Sequence, residues 1–313
     1  MISAMLDRSL FRTELTQLLG GRVRFDLTLA RLTTMKIGGP VGALIFAEHV
    51  EECHQVVTFL EKNRTPWRLI GRGSNVLAPD EGFDGALLAL GDGFKTIEKS
   101  TDLSADKVLV RAGAGLSLTR VADWCAARGL AGLEFAAGIP GCVGAAVLKN
   151  AGAWGSEMGA VVASVTVMNG REERTLPRSC LHFSYRSLWM APALPAPLIV
   201  AAVEFELRRS STVAIREQMA YYHQLRREKQ PLNQPSAGSF FKNPPGLFAA
   251  ELIESSGLKG LRVGDAQVST RHANFFVNRG RATARQMIAL MREVQQKVEK
   301  QHGVMLEPEV EVW

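Results

Sequence analysis

Two glycine-rich turns in this 313-residue chain combine residue types that could hold an anion. The first is Gly71-Arg72-Gly73-Ser74-Asn75, after the apolar run at 67–70. The second is Gly138-Ile139-Pro140-Gly141-Cys142-Val143-Gly144-Ala145, continuing to Asn150-Ala151-Gly152-Ala153-Trp154-Gly155. Closely spaced glycines let the backbone approach a ligand without Cβ interference, and successive N–H groups can form an anion-binding nest. No Gly-Lys-Ser/Thr follows either turn. Neither is a GxGxxG run opening a helix with an acidic residue at dinucleotide-fold spacing. Taken singly, each cluster also fits a plain tight turn. Two in one chain, both rich in donors, point to a diphosphate cofactor held outside a Rossmann fold.

A third signal is Ser236-Ala237-Gly238-Ser239-Phe240-Phe241-Lys242-Asn243-Pro244. Ser239 could be a shielded hydroxyl beside an anion-binding lysine; the competing reading is an irregular loop around a buried Phe pair. No GxSxG elbow and no obvious His/Asp partner accompany it, so a hydrolase triad is not indicated. The six histidines, at 49, 54, 182, 223, 272 and 302, form no HxH or HExxH pattern, and no metal site is expected. Cys53, Cys125, Cys142 and Cys180 are scattered without a CxxC pair and read as small buried apolar residues in a reducing compartment.

The elements that must position these residues divide into three textures. To about residue 90, short strand-like runs (43–47, 67–70, 86–90) alternate with a helix over Val50–Lys62. From about 95 to 208, strands are expected at 108–111, 161–168 and 198–207. A helix there should be N-capped by Ser117, bury Leu118, Val121, Ala122 and Cys125, and end at Gly129. From about 210 the pattern is more helical. Met287, Met291, Val294 and Val298 make one stripe opposite Arg285, Arg292, Gln296 and Lys300, closed by His302-Gly303, and residues 310–313 read as a strand. The sequence predicts an α+β architecture of two or three domains.

Composition is ordinary for a globular protein, with 46% hydrophobic and 22% charged residues. The formal charge is +6. Residues 211–301 alone carry 14 Lys/Arg against 7 Asp/Glu, a surplus of 7, so the remainder is near neutral. A basic C-terminal region suits a polyanion such as a nucleotide diphosphate, and equally a solvated helical face. No long basic run interleaves with aromatics, so nucleic-acid binding is not expected. Asp7, Arg8, Arg12 and Glu14 interrupt any signal-peptide core, and the longest apolar stretch, 190–205, holds three prolines and Glu204. A cytoplasmic protein without membrane contact is expected.

In their order along the whole chain these motifs resemble the UDP-N-acetylenolpyruvoylglucosamine reductase family, also called UDP-N-acetylmuramate dehydrogenases. The resemblance begins at Thr33-Thr34-Met35-Lys36-Ile37-Gly38-Gly39-Pro40 and takes in Gly71 to Asn75, Ala112-Gly113-Ala114-Gly115 and residues 134–141. It continues through Asn150-Ala151-Gly152-Ala153, Phe183-Ser184-Tyr185-Arg186, Lys229-Gln230-Pro231 and residues 238–244. It closes with Gly264-Asp265-Ala266, His272-Ala273-Asn274-Phe275 and Leu306-Glu307-Pro308-Glu309-Val310. The chain departs from the family pattern at Cys142, Leu148-Lys149, Trp154 and its end, which lacks an arginine after Val310. Its length matches the shorter subgroup, without a tyrosine-bearing loop over the substrate.

The resemblance implies a two-part FAD-binding domain of the vanillyl-alcohol-oxidase (PCMH) type, at 1–92 and 93–209. A C-terminal α+β substrate-binding domain at 210–304 and a returning strand at 305–313 complete it. It implies non-covalent FAD held by Gly71, Arg72, Gly73, Ser74 and Asn75 together with Gly138, Ile139, Pro140, Gly141, Gly144, Ala145, Asn150 and Gly152. It implies NADPH as co-substrate, and UDP-N-acetylglucosamine enolpyruvate as substrate, met by Lys229, Asn243 and Arg226. Arg186, Ser239 and Glu309 are the implied catalytic residues, in a protein for which a monomer is compatible. An alkene conjugated to a carboxylate accepts hydride if the developing enolate is stabilised, which Arg186 and Glu309 would do. Ser239 would protonate the adjacent carbon, with solvent excluded by the Phe240/Phe241 loop. The alternatives are another flavin oxidoreductase on the same fold and a non-catalytic flavin- or sugar-nucleotide-binding protein.

Overall fold

The computed structural model describes residues 8–168, 172–193 and 197–313. Asp7, one of the N-terminal charges noted above, lies outside them. Three sheets organise the chain, and each occupies one of the three textures read from the sequence.

In the first, strands Pro40–Ala47 and Trp67–Leu69 flank Phe83–Leu90, all parallel. Helix α2, Val50–Lys62, makes the crossover. Alternation decides which side chains go where. Ala43, Ile45, Ala47, Ala86 and Leu88 meet α2 through Cys53, Val56, Val57 and Leu60. Leu44, Leu87 and Ala89 face the other way into a second apolar cluster. Both faces are covered, which is why these strands read as continuous apolar runs.

The second sheet is antiparallel, in the order 173–177, 162–168, 199–209, 107–113, 97–102. One face packs on helices α3, Leu118–Ala126, and α4, Val143–Leu148. Strand Ile97–Asp102 forms an exposed edge studded with charges, as solvated edges require. Ser117 stands at the N-cap of α3 as expected, but its hydroxyl makes no capping bond. Gly129, in the left-handed region at φ 66°, follows three residues after the helix ends. Cys53 and Cys125 are buried, with burial pushing each thiol up to about 12. Cys142 and Cys180 are only half-buried, contrary to the uniform expectation, because each sits in a turn at the rim of this core.

The third region is the more helical one, as its pattern suggests, with helices over Thr212–Lys229, Ala249–Ser255 and Ala284–His302, and it also holds a sheet that the pattern did not show. Its four strands, Ser236–Ser239, Phe275–Asn278, Ala266–Val268 and Arg262–Val263, pair antiparallel in that order. They are two to four residues long, too short to show a period. Helix α7, Ala284–His302, covers them with Met287, Leu290, Val294 and Val298 buried; Met291 stays at the margin of the stripe. Thr283 and Gln286 form its capping box, and Gly303 ends it at φ 68°. The Asp80 carboxylate, from the first region, accepts from Ala284 N and Arg285 N at 2.7 and 3.1 Å. Met35, Ile37 and Leu77 enter the core of this third region, so the first and third pack as neighbours. Helix α5, Thr212–Lys229, joins the second to the third and buries Ile215 and Met219 against the second. No helix among the described residues is long and apolar enough to cross a membrane.

Candidate active site

The two glycine turns lie against each other. The Ser74 hydroxyl donates to Pro140 O at 2.9 Å, and Cys142 Sγ packs beside Gly71. Gly73 has φ 58°, and a Cβ there would meet Leu32 O at 2.1 Å, so no other residue fits where this turn crosses the 32–34 segment. Gly71, Arg72, Pro140 and Ala145 are exposed around the junction, while Ser74, Ile139 and Gly141 are half-buried. Gly144 plays a different part. Its N–H already donates to Ala114 O at 3.0 Å, and its missing Cβ lets α4 pack on Ala114. Gly152 sits in a short hairpin against Ser156 and Glu157.

Two asparagines expected at the cofactor also make hydrogen bonds within the protein. Asn150 is 0% exposed. Its Nδ2 donates to Ser184 O and its Oδ1 accepts from Gly159 N, both at 2.9 Å. Both ends of its amide are engaged within the protein, in an Asn-tolerant left-handed conformation at φ 41°. Asn75 Nδ2 donates to Glu309 O at 3.0 Å, and Glu311 N donates to Asn75 O at 3.0 Å. Asn75 therefore fastens the C-terminal strand to the first glycine turn.

Arg186 occupies the tip of a hairpin, strands Leu181–Ser184 and Ser187–Met190, at φ 58°. A non-glycine residue there is uncommon and is held by its surroundings. The Asn150–Ser184 bond supplies one restraint. Asn243 N–H supplies another, donating to the Tyr185 hydroxyl at 3.1 Å across to the third region. Arg186 Nε stands 2.6 Å from Glu309 Oε1, with both side chains about four-fifths buried. That pairing engages Nε, so the Nη groups of the guanidinium remain available to a second acceptor.

Glu309 is delivered by the returning chain end. Its N–H donates to Phe240 O at 2.9 Å, and Lys242 N donates to Glu307 O, so residues 307–309 run alongside 240–242. Burial raises the Glu309 carboxyl above its ordinary range, against the opposing pull of Arg186, Lys242 and Lys149. Ser239 is the neighbour of Phe240 and so lies one residue from Glu309's backbone anchor. Its hydroxyl is half-buried and makes no hydrogen bond among the described residues. Phe240 and Phe241 do not shield it as a lid. They are 0% and 1% exposed and pack on Phe276, with Asn274 clamping Phe241 through both ends of its amide at 2.9 and 2.8 Å. They root the loop in the core.

The residues assigned to a diphosphate are spread. Lys229 is exposed and free of hydrogen bonds among the described residues. Asn243 is exposed, but its Oδ1 accepts from Ala249 N at 3.1 Å, which leaves Nδ2 to donate. Arg226 is 7% exposed and lies on the second glycine turn. Its Nε donates to Ala137 O at 3.1 Å, and its stem fills the space over Gly138. Nη2 has no partner, and neither does the buried indole N–H of Trp154, over whose ring the guanidinium stands at 5.7 Å. A buried guanidinium without a carboxylate, beside a second orphaned donor, calls for an anionic acceptor. Asn274 and Tyr185 fall in motifs the sequence shows but had no role assigned there, and their hydrogen bonds hold the Ser239 loop and the Arg186 hairpin. For Asn274 there was a signal: a lone amide inside the apolar run 273–277 needs partners.

Residues 230–313 match the family described as UDP-N-acetylenolpyruvoylglucosamine reductase, C-terminal domain, and residues 41–175 match the FAD binding domain family. UDP-N-acetylenolpyruvoylglucosamine reductase 2 of Symbiobacterium thermophilum is 44% identical over 94% of this chain and 92% of its own length. The chain belongs to the UDP-N-acetylenolpyruvoylglucosamine reductase family. The reductase of Syntrophus aciditrophicus is 40% identical over 96% of the chain and 95% of its own. The crystal structure of the Thermus caldophilus reductase superposes with a TM-score of 0.77 at 36% identity, covering 93% of this chain and 99% of that one. The two family matches take in both glycine turns, the Ser239 loop and Glu309. The α+β fold expected from the sequence, an FAD-binding part followed by a C-terminal domain, is the fold of the family.

Proposed function

We propose that Arg186, Ser239 and Glu309 carry the reduction of UDP-N-acetylglucosamine enolpyruvate to UDP-N-acetylmuramate in this FAD-dependent oxidoreductase, with NADPH as the source of electrons. The observation that carries the reading is the convergence at Glu309. A buried carboxyl of raised proton affinity pairs with Arg186, and its backbone is anchored on Phe240, the residue after Ser239, so three separated segments come together there.

The protein's groups fit the flavin. The joined glycine turns form an open backbone rim, and the orphaned donors of Arg226 and Trp154 suit a phosphate oxygen beside Gly138. FAD, once reduced, supplies hydride to the terminal alkene carbon of the substrate. Gly71, Arg72, Ser74, Ile139, Pro140, Gly141 and Ala145 would hold it through backbone and exposed side chains. Gly73, Gly144 and Gly152 serve by keeping the backbone close-packed, and Asn75 and Asn150 by bracing the catalytic pair. Lys229 and Asn243 Nδ2 would meet the UDP diphosphate.

Hydride addition at one alkene carbon places negative charge on the substrate carboxylate. Arg186 can accept that charge through the donors Glu309 does not engage. Burial raises the proton affinity of Glu309, and its pairing with Arg186 offsets the repulsion its charge would set against the substrate carboxylate. Ser239 then gives its proton to the adjacent carbon. A serine is a weak acid, but an enolate is a strong base and the half-buried hydroxyl has no competing partner. The division 1–92, 93–209, 210–304 and 305–313 follows the three sheets and the returning strand.

The experiment is Ser239→Ala examined one half-reaction at a time. Flavin reduction by NADPH should stay within a few-fold of the parent, while oxidation of the reduced enzyme by the enolpyruvyl substrate slows by about 100-fold or more. Equal loss in both halves would remove Ser239 as proton donor.

A further inference from the structure

Glu307, Glu309 and Glu311 are alternate residues of the returning chain, and each faces a cation from a different segment. Lys242 pairs with Glu307, Arg186 with Glu309 and Lys149 with Glu311. Lys242 follows the Ser239 loop, Arg186 tips the hairpin and Lys149 closes α4. The three pairs differ in depth. Arg186 and Glu309 are 23% and 19% exposed, whereas Lys149 and Glu311 are each 48% exposed.

An exposed pair of this kind adds little to stability. Its placement matters more. Lys149 directly precedes Asn150, the residue that braces the Arg186 hairpin through Ser184 O. Glu311 lies two residues beyond Glu309, and its strand is fixed on the other side by pairing with Val76. The Lys149–Glu311 contact therefore ties the support of Arg186 to the strand that carries Glu309. We infer that Lys149 is a positioning residue, holding Glu309 in register against Arg186 through its ion pair with Glu311. This rests on the reading of Glu309 as catalytic.

The charged groups around Glu309 are Arg186, Lys242 and Lys149, with Glu307 and Glu311 behind the two lysines. Removing Lys149 takes away one cation that favours the ionised carboxylate, so Glu309 would titrate at higher pH. A misplaced carboxylate would also lower kcat, since small displacements at a reacting centre are costly.

The test uses the flavin-loaded enzyme and four variants: Lys149→Met, Lys149→Arg, the reversed pair Lys149→Glu/Glu311→Lys, and Glu309→Gln. Lys149→Met should lower kcat about tenfold with an unchanged KM for the enolpyruvyl substrate, leave the melting temperature within a few degrees, and move the Glu309 limb of the pH profile upward. Lys149→Arg and the reversed pair should restore most of kcat. Parental kcat and pH profile in Lys149→Met would overturn the inference. So would an impaired Lys149→Met that the reversed pair does not rescue, because Lys149 would then not act through Glu311. If Glu309→Gln itself turned over like the parent, the fault would lie with the catalytic reading of Glu309.

Discussion

Asn75 donates from its side chain to the backbone carbonyl of Glu309 at 3.0 Å, across 234 positions of sequence. The bond fixes Glu309 to the first glycine turn. With Glu309 N bonded to Phe240 O on its other side, the carboxylate is located by one segment from each of the first and third regions. Arg186, from the second, completes it.

Asn75→Ala should therefore weaken catalysis more than flavin retention. The lost bond leaves the Glu309 carbonyl without its donor, a destabilisation of about 1 kcal/mol. Steady-state kinetics should give a several-fold lower kcat, while the flavin content of the purified protein stays close to the parent's. A variant that lost flavin and kept kcat per flavin would place Asn75 at the cofactor instead.

Asn150→Ala should be the more damaging asparagine replacement. It strands Ser184 O and Gly159 N at a fully buried position and puts alanine in a left-handed conformation. A loss of about 3 kcal/mol is expected from urea midpoints, together with a fall in kcat as the Arg186 hairpin loosens.

Arg226→Met keeps the length that covers Gly138 and removes the charge. Flavin should dissociate at least about tenfold more readily, read as the ratio of flavin to protein absorbance after dialysis. The apoprotein should be no less stable than the parent apoprotein, because burial without a carboxylate partner already disfavours this guanidinium, holding its pKa below the ordinary value.

The raised proton affinity of Glu309 has a signed effect on stability. At pH values below the ordinary carboxyl range, both the native and the unfolded chain are protonated there. As pH rises through that range the unfolded chain releases its proton first, while the native protein holds it until the higher folded value is passed. Stability from this site is therefore lost with rising pH. Chemical unfolding at paired pH values should show the parent losing stability relative to Glu309→Gln over that window. An opposite slope would mean that Arg186 outweighs burial.

The sequence made some of this visible and concealed the rest for identifiable reasons. Helix Val50–Lys62 was legible because it repeats its apolar period over 13 residues, and strand 86–90 because it is a continuous apolar run. The third sheet was not, since Arg262–Val263 and Ala266–Val268 are too short to carry a pattern and are held by long-range pairing. The glycine turns were visible as composition, yet only coordinates separate Gly141 at the rim from Gly144, whose absent Cβ serves packing. An amide beside glycines suits either a ligand or a brace, and the hydrogen bonds of Asn75 to Glu309 O and of Asn150 to Ser184 O join segments that no local pattern connects. Arg186, Ser239 and Glu309 came from resemblance alone, since nothing local brings residues so far apart together.

The most direct test of the account follows NADPH oxidation by the purified flavoprotein with and without UDP-N-acetylglucosamine enolpyruvate. Sustained oxidation that depends on the enolpyruvyl compound, with UDP-N-acetylmuramate formed in equal amount, is the predicted result. Flavin reduction by NADPH that stops after one equivalent whether or not that compound is present would contradict it.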